Sequence, residues 1–180
     1  MLIQTWVMCL FALLSCAIYA QNPKSPSVVH RRTEFAFNVN APIETVAPLF
    51  GADKERLWAE GWNPQFVHPQ PANDEAGAVF TVKTGHPNVW INTIYDLDRG
   101  QIQYACFAAE GMVTLIDIRV QRIASDKTRA VVAYERTALQ PEANDHVNHL
   151  ADGDKAKGPE WETAFRNYLH TRGNKESAAK

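Results

Sequence analysis

The sequence predicts an α+β fold in which a curved antiparallel sheet packs against a long C-terminal helix. Residues 76–139 form five consecutive strand patterns with short turns between them, and such short links make neighbouring strands antiparallel. Residues 160–171 carry apolar side chains at helical spacing, namely Trp161, Ala164, Phe165, Tyr168 and Leu169. Because this helix face is wide and aromatic, it needs an equally wide apolar partner, and the sheet supplies one.

The region before these strands predicts one more strand and a short helix. Residues 33–40 alternate between apolar and polar side chains, as in a strand with one buried face. Asn40 is the predicted N-cap of a helix that carries apolar residues as far as Phe50 and ends at Gly51. Pro48 lies inside this helix, so we expect the helix to be short or bent there.

The remaining elements follow in order along the chain. Residues 53–60 predict a second short helix, and the proline-rich aromatic segment 62–69 predicts an ordered loop or an edge strand. The five strands are then expected at 77–84, 89–97, 101–109, 112–124 and 129–139, with residues 85–88 as the first turn. Residues 141–152 have helical composition, and a glycine break separates them from the aromatic helix, which Pro159 opens. The sheet therefore has six or seven strands, and the C-terminal helix is broken or kinked.

The N-terminus predicts export. Residues 1–20 contain no charged side chain, and an apolar run at 7–14 precedes small residues, as in a secretory signal. Residues 13–16 also resemble a bacterial lipobox, which would make Cys16 a lipidated N-terminus, and an uncleaved membrane anchor is the third alternative. All three alternatives predict a secreted or periplasmic protein that contacts a membrane only through this segment. The expected organisation is a signal or anchor at 1–20, a linker at 21–32, the domain at 33–172 and a frayed tail at 173–180.

Composition excludes several classes of function. The chain has 18 basic and 20 acidic residues, so no surface for nucleic acid is expected. Cys106 is the only cysteine of the domain, which excludes an intramolecular disulfide there. The sequence has no Gly-x-Ser-x-Gly elbow and no glycine-rich phosphate loop, which disfavours triad hydrolysis and nucleotide chemistry. No cofactor is expected.

One cluster contains metal-ligating residue types: Glu142, Asp145, His146 and His149. On a helix, residues 142, 146 and 149 share a face, and two imidazoles with a carboxylate suit zinc. The spacing matches no zinc signature, however, and a solvated polar helix face explains the cluster equally well. No metal site is therefore predicted.

Four segments resemble one superfamily: residues 37–44, 55–64, 134–139 and 161–169. They are similar to the opening strand and helix start, a segment near the second short helix, the last strand and the final helix of SRPBCC proteins. This superfamily has the helix-grip fold of START lipid-transfer domains, the major birch pollen allergen and polyketide cyclase/dehydrase-like proteins. The resemblance implies a cavity between the C-terminal helix and the concave sheet, which the superfamily uses for lipids, sterols, polyketides and other apolar molecules.

Such a cavity would be lined by large side chains from the sheet, the loops and the helix. The expected ligand-binding residues are Trp62, Phe66, Trp90, Tyr104, Tyr134, Trp161 and Phe165. Most of the large aromatic residues of any domain belong to its ordinary core, so a core position is the competing interpretation for each of them.

Three hypotheses for function follow. The first is an exported, non-enzymatic module whose partner is a small hydrophobic or amphipathic ligand, either lipid-like or aromatic. The second is an enzyme resembling the polyketide cyclase/dehydrase group, in which His86, Tyr104 or Glu60 moves a proton as general acid or base. The third is a non-catalytic interaction protein of the cell envelope, with the cavity filled by side chains.

Overall fold

The computed structural model describes residues 27–84 and 86–178, apart from the side chains of residues 84, 86, 87 and 175–178. The predicted signal or anchor, Cys16 and most of the predicted linker lie outside the described residues, as does the end of the predicted tail.

Seven strands form one antiparallel sheet. They are β1 (His30–Val39), β2 (Gln65–His68), β3 (Val79–Thr84), β4 (His86–Asp96), β5 (Gln101–Ala108), β6 (Met112–Ala124) and β7 (Lys127–Ala138). Their order in the sheet is β1-β7-β6-β5-β4-β3-β2, so the first and last strands of the chain pair with each other and β2 forms the opposite edge. The antiparallel sheet predicted from the sequence is confirmed, with the larger of the two expected strand numbers.

The hairpin between β3 and β4 is tighter than predicted. The expected turn at 85–88 is wrong, because Thr84 pairs with His86 and Lys83 pairs with Pro87. Proline is tolerated in this part of β4 because β5 pairs with β4 only from Val89 onward, so Pro87 has one neighbouring strand. The two strands therefore extend almost to the tip of the hairpin.

The connection after β1 begins with helix α1 (Ile43–Val46) and a 3₁₀ turn at Ala47–Phe50. The predicted cap by Asn40 is wrong, because Pro42 occupies the N-cap position and its carbonyl accepts the first backbone N–H bonds. The helix tightens into the 3₁₀ turn around Pro48, as expected from a residue that cannot donate an intrahelical bond.

The predicted second helix is a single 3₁₀ turn at Lys54–Leu57. Its start is held from elsewhere in the chain, since the carboxylate of Asp74 accepts the backbone N–H groups of Asp53 at 2.8 Å and Lys54 at 3.3 Å. Residues 58–61 turn away from the helical path, and Gly61 has a φ of 76°. An extended segment thus leaves the turn towards β2, which confirms an edge strand as the structure of the segment predicted at 62–69.

Two helices follow the sheet, α2 (Asn144–Asp154) and α3 (Lys157–Ala178), separated by Lys155 and Ala156. The predicted interruption is confirmed, but it does not lie at a glycine, since Gly153 belongs to α2 and Gly158 to α3. Pro159 is the third residue of α3, where proline costs no intrahelical bond. Helix α3 continues to Ala178, into the segment predicted as a tail.

Helix α3 packs along β1. Gly158 permits the close approach, since a Cβ built there would lie 3.4 Å from the carbonyl oxygen of Ala36. Phe165 is fully buried in the same contact. The helix therefore covers the β1 side of the concave sheet, and the surface over β3 and β4 lies beyond it. No helix in the described part of the chain is long and apolar enough to cross a membrane.

Candidate ligand-binding cavity

A cavity of about 1060 Å³ lies between α3 and strands β3 and β4. Its walls are residues 57–62, the strand residues Val82, Asn88 and Trp90, and one flank of α3. The residues on that flank are Glu160, Trp161, Ala164, Asn167, Tyr168, Thr171 and Arg172. They recur at spacings of three and four residues, so they share one face of the helix. The volume is of the size that small-molecule sites have, roughly 300–1,000 Å³.

The cavity exists because α3 leans towards β1. Phe165 packs there against the rings of Phe37, Phe50 and Trp58, at centroid distances of 5.6, 5.0 and 4.2 Å. Ala164, one residue earlier, faces the cavity and carries only a methyl group. The small side chain leaves the space between α3 and β4 unfilled.

Four of the chain's five tryptophans line the cavity: Trp58, Trp62, Trp90 and Trp161. They form two edge-to-face pairs, Trp58 with Trp161 at 5.2 Å and Trp62 with Trp90 at 5.3 Å. Edge-to-face contacts are favourable for aromatic rings and leave ring faces pointing in different directions.

Hydrogen bonds fix two of these indoles. The Nε1 of Trp58 donates to the carbonyl of Leu49 at 2.7 Å, and the Nε1 of Trp62 donates to the carbonyl of Ala52 at 2.8 Å. Trp90 differs, because its Nε1 is buried and has no hydrogen-bond partner among the described residues. An unmet buried donor costs about 1–3 kcal/mol, so Trp90 is the least satisfied of the four rings.

Three charged residues line the cavity within the described chain. The carboxylate of Glu160 accepts a hydrogen bond from Nζ of Lys157 at 2.9 Å. The carboxylate of Glu60 has no ion pair or hydrogen bond among the described residues. Arg172 comes twelve residues after Glu160 on α3, which places it roughly 18 Å further along the helix axis. Glu160 and Arg172 therefore lie towards different ends of the helix face that lines the cavity.

Comparison with known proteins rests on solved structures, since no protein-family model and no curated protein matches the chain. Norcoclaurine synthase from Thalictrum flavum is similar with a TM-score of 0.59, 13% identity, and coverage of 81% of this chain and 88% of that chain. Ara h 8.0201 has a TM-score of 0.58 and 13% identity over 79% of this chain and 99% of its own. Zhui aromatase/cyclase from Streptomyces sp. R1128 has a TM-score of 0.54 and 15% identity over 83% and 96%.

The chain has the helix-grip fold of SRPBCC proteins. The resemblance stated from the sequence is thereby confirmed at the level of fold, and identities this low establish the fold alone. One of the norcoclaurine synthase structures, with a TM-score of 0.57 and 11% identity, contains dopamine and hydroxybenzaldehyde.

Three of the residues expected to bind ligand line the helix-grip cavity: Trp62, Trp90 and Trp161. Phe165 belongs to the core on the β1 side, where it is 0% exposed. Tyr104 is also in the core, and its hydroxyl donates to the carbonyl of Phe50 at 2.6 Å.

The other two expected residues do not line the cavity. Phe66, on the edge strand β2, stacks on Phe80 with a centroid distance of 5.4 Å. Tyr134, on β7, lies under the guanidinium of Arg136, whose Cζ is 4.3 Å from the ring centroid. Burial raises the pKa of the Tyr134 hydroxyl.

The structure describes the side chains of two of the three acid–base candidates, Glu60 and Tyr104. Glu60 lines the cavity. Burial, and then the nearby carboxyl of Glu55, raises the pKa of the Tyr104 hydroxyl well above its usual range. The side chain of His86 lies outside the described residues. Glu60 is therefore the candidate that the described structure brings to the cavity.

The sequence indicated Tyr168 as one of the large side chains that could line a cavity but gave no role to Asn167, and both line the cavity from α3. The spacing of the apolar stripe includes Tyr168, but the stripe does not say which of its members face the sheet and which face open space. Asn167 lies on the polar side of that stripe and gave no signal. It reaches the cavity because α3 leans towards β1.

A buried carboxyl near the cavity wall was also missed. Glu55 is 8% exposed, on the turn that leads into residues 57–62. Burial and, to a smaller extent, the neighbouring carboxylate of Asp74 raise the pKa of Glu55 well above its usual value. Burial also raises the pKa of Asp74. A glutamate in a short helical turn reads as a surface residue, so the sequence contained no sign of this burial.

The cluster of Glu142, Asp145, His146 and His149 lies on α2 and the turn before it. The described side chains include no group of three or more His, Cys, Asp or Glu residues placed to hold a metal ion.

Proposed function

We propose that this helix-grip domain binds a small hydrophobic or amphipathic organic molecule in the cavity between α3 and strands β3 and β4. One observation carries the proposal: a space of about 1060 Å³ is walled by four indole rings in a chain of helix-grip fold.

Physical chemistry favours an occupant for this space. Apolar surface in contact with water is unfavourable by roughly 25 cal/mol per Å², and a ligand that covers the rings removes that contact. Hydrogen bonds to Leu49 and Ala52 already fix Trp58 and Trp62, so little side-chain entropy is lost when a ligand binds. The unmet N–H of Trp90 supports an amphipathic ligand, because a small movement of the ring would offer that donor to a polar atom.

The comparison structures support a ligand of modest size. Norcoclaurine synthase, whose fold this chain shares, occurs with dopamine and hydroxybenzaldehyde, which are small aromatic molecules. By analogy of fold, we extend the proposal to aromatic as well as lipid-like ligands.

A second candidate function is acid–base catalysis on the bound molecule, and the position of Glu60 in the cavity wall favours it. This hypothesis predicts that a ligand extracted from the purified protein is converted during incubation with the wild-type protein. Glu60→Gln would still bind the ligand but would not convert it. Binding without conversion by the wild type would exclude this candidate and leave the binding function.

We also propose export, on the basis of the uncharged apolar segment at residues 1–20. Intact mass spectrometry of the protein from fractionated cells distinguishes cleavage, lipidation at Cys16 and retention of the segment. Full-length protein in the cytosolic fraction would reject export.

The binding proposal is tested by filling the cavity. The neutral fluorescent probe 6-propionyl-2-dimethylaminonaphthalene is titrated against the wild type, Ala164→Phe and Thr163→Phe. Ala164 faces the cavity, whereas Thr163, the residue before it on α3, is exposed. The two variants therefore add the same ring inside and outside the site. We expect one probe per wild-type molecule with a blue-shifted emission, unchanged binding by Thr163→Phe, and at least about tenfold weaker binding by Ala164→Phe.

Two results would reject the proposal. One is the absence of saturable binding to a folded wild-type protein. The other is binding that Ala164→Phe leaves unchanged, which would place the probe elsewhere. Native mass spectrometry and organic extraction of the protein from its own host then identify the natural occupant.

A further inference from the structure

The walls of the cavity combine aromatic ring faces with carboxylates, and this combination suits one class of ligand. We propose that the ligand is an organic cation, an apolar or aromatic body that bears a protonated amine or a quaternary ammonium group. The inference rests on the proposed binding function and names the chemistry of its ligand.

The aromatic part of the argument comes from the two edge-to-face pairs. Trp58 lies at 67° to Trp161, Trp62 lies at 89° to Trp90, and all four rings line one space. Tyr168 adds a fifth ring from α3. The face of an aromatic ring carries negative potential, and cages of such faces bind ammonium groups within about 6 Å of the ring centroids.

The charges of the cavity point the same way. Glu60 and Glu160 both line the cavity, two residues after Trp58 and one residue before Trp161, and these two tryptophans contact each other. Glu160 pairs with Lys157, which leaves Glu60 as a carboxylate without a partner among the described residues. A bound cation would supply that partner.

Arg172 also lines the cavity, but it lies roughly 18 Å along α3 from Glu160. Over that distance these two charges are largely screened from each other in solution. A cation beside the indoles gains contact with the aromatic rings and with the carboxylate of Glu60, whereas an anion there gains neither.

The test uses two probes that differ by one atom. In (4-hydroxybenzyl)trimethylammonium a positively charged nitrogen occupies the position that a neutral carbon occupies in 4-neopentylphenol. Each is used to displace 6-propionyl-2-dimethylaminonaphthalene from the full chain at about 50 mM salt. We expect the ammonium compound to bind at least about tenfold more tightly than its neutral isostere.

Glu60→Gln and Glu110→Gln isolate the role of the carboxylate. Glu60 lines the cavity, whereas Glu110 is exposed in the turn between β5 and β6. We expect Glu60→Gln to lower the preference for the cation over 4-neopentylphenol about threefold or more, and Glu110→Gln to leave that preference unchanged. The preference of the wild type is also expected to fall as salt is raised, a readout that needs no variant.

Equal affinities for the two probes would overturn the inference and leave the binding function standing. A preference for the cation that neither salt nor Glu60→Gln reduces would overturn the role of the carboxylate. Failure of both probes and the naphthalene compound to bind would reject the proposed function itself.

Discussion

The gap between α3 and the sheet is filled on one side and open on the other. On the closed side, next to β1, Phe165 is fully buried and its ring contacts those of Phe37, Phe50 and Trp58. On the open side, next to β3 and β4, Ala164 faces a cavity of about 1060 Å³. Consecutive residues of a helix point about 100° apart, so one step along α3 separates a packed core from the binding space.

Both sides are rich in aromatic rings, so the difference between them does not come from composition. Trp58 and Trp161 even belong to both, since they contact Phe165 or Phe50 and also line the cavity. The direction in which α3 leans decides the outcome. Stability and binding should therefore respond to different substitutions, which the following predictions test.

The largest effect is expected from Phe165→Ala on the closed side. Removing a fully buried aromatic ring leaves a cavity that the rigid sheet cannot close, and such substitutions cost about 3–5 kcal/mol. The free energy of unfolding is measured by urea denaturation. Ala164→Gly is the matched control at the neighbouring position, and we expect it to cost about 1 kcal/mol through helix propensity. Similar losses at the two positions would contradict the division into a closed and an open side.

Asp154→Ala is expected to have the next largest effect, again on stability and not on binding. Asp154 forms an ion pair with Arg136 of β7, and its carboxylate accepts a hydrogen bond from the hydroxyl of Thr33 of β1 at 2.8 Å. These contacts hold the end of α2 against the β1 side of the sheet. The two charged side chains are only 9% and 6% exposed. Loss of the carboxylate leaves a buried guanidinium without its partner, at a cost of about 3 kcal/mol.

The double variant Arg136→Met, Asp154→Leu distinguishes the cost of an orphaned charge from the value of the pair. We expect it to recover most of the stability lost by Asp154→Ala, because no buried charge remains. Both variants should bind 6-propionyl-2-dimethylaminonaphthalene as the wild type does. Weakened binding by the folded double variant would show that the ion pair shapes the open side as well.

Local sequence patterns predicted most of the fold. The alternation in β6 gave its bounds, Met112–Ala124, because the two faces of that strand differ sharply in burial. Pro48 marked the place where a helix tightens, since proline has no N–H to donate. One prediction that failed depended on a distant residue: Asp74, which caps the turn expected to be a short helix, comes some twenty residues later in the chain.

The site was harder to predict for the same reason. Trp161 and Phe165 belong to one helical stripe, yet the first lines the cavity and the second fills the core. Tyr104 and Trp90 lie on the same face of the sheet, but Tyr104 is buried with its hydroxyl on the carbonyl of Phe50, whereas Trp90 lines the cavity. Periodicity assigns a residue to a face. How far that face is covered depends on how the helix and sheet pack together, which no local pattern encodes.

The smallest predicted effect concerns Glu55, on the turn between the closed side and the cavity wall. Glu55 has a raised pKa because it is buried and, secondarily, because Asp74 is near. The folded state therefore favours the protonated carboxyl, whereas the unfolded chain ionises near the ordinary value of 4.5. Above that pH, unfolding releases a proton, so the free energy of unfolding falls as pH rises, by at most about 1.4 kcal/mol per pH unit, until the folded pKa is reached.

Glu55→Gln removes this dependence because its amide does not ionise. We expect the variant to gain stability relative to the wild type as the pH is raised from about 4 to about 7. Asp74 has a raised pKa as well, but it is present in both proteins, so the difference between them mainly reports Glu55. If the stability of Glu55→Gln ran parallel to that of the wild type over this pH range, the buried carboxyl would ionise as readily in the folded protein as in the unfolded chain, and the turn that begins the cavity wall would have to admit water.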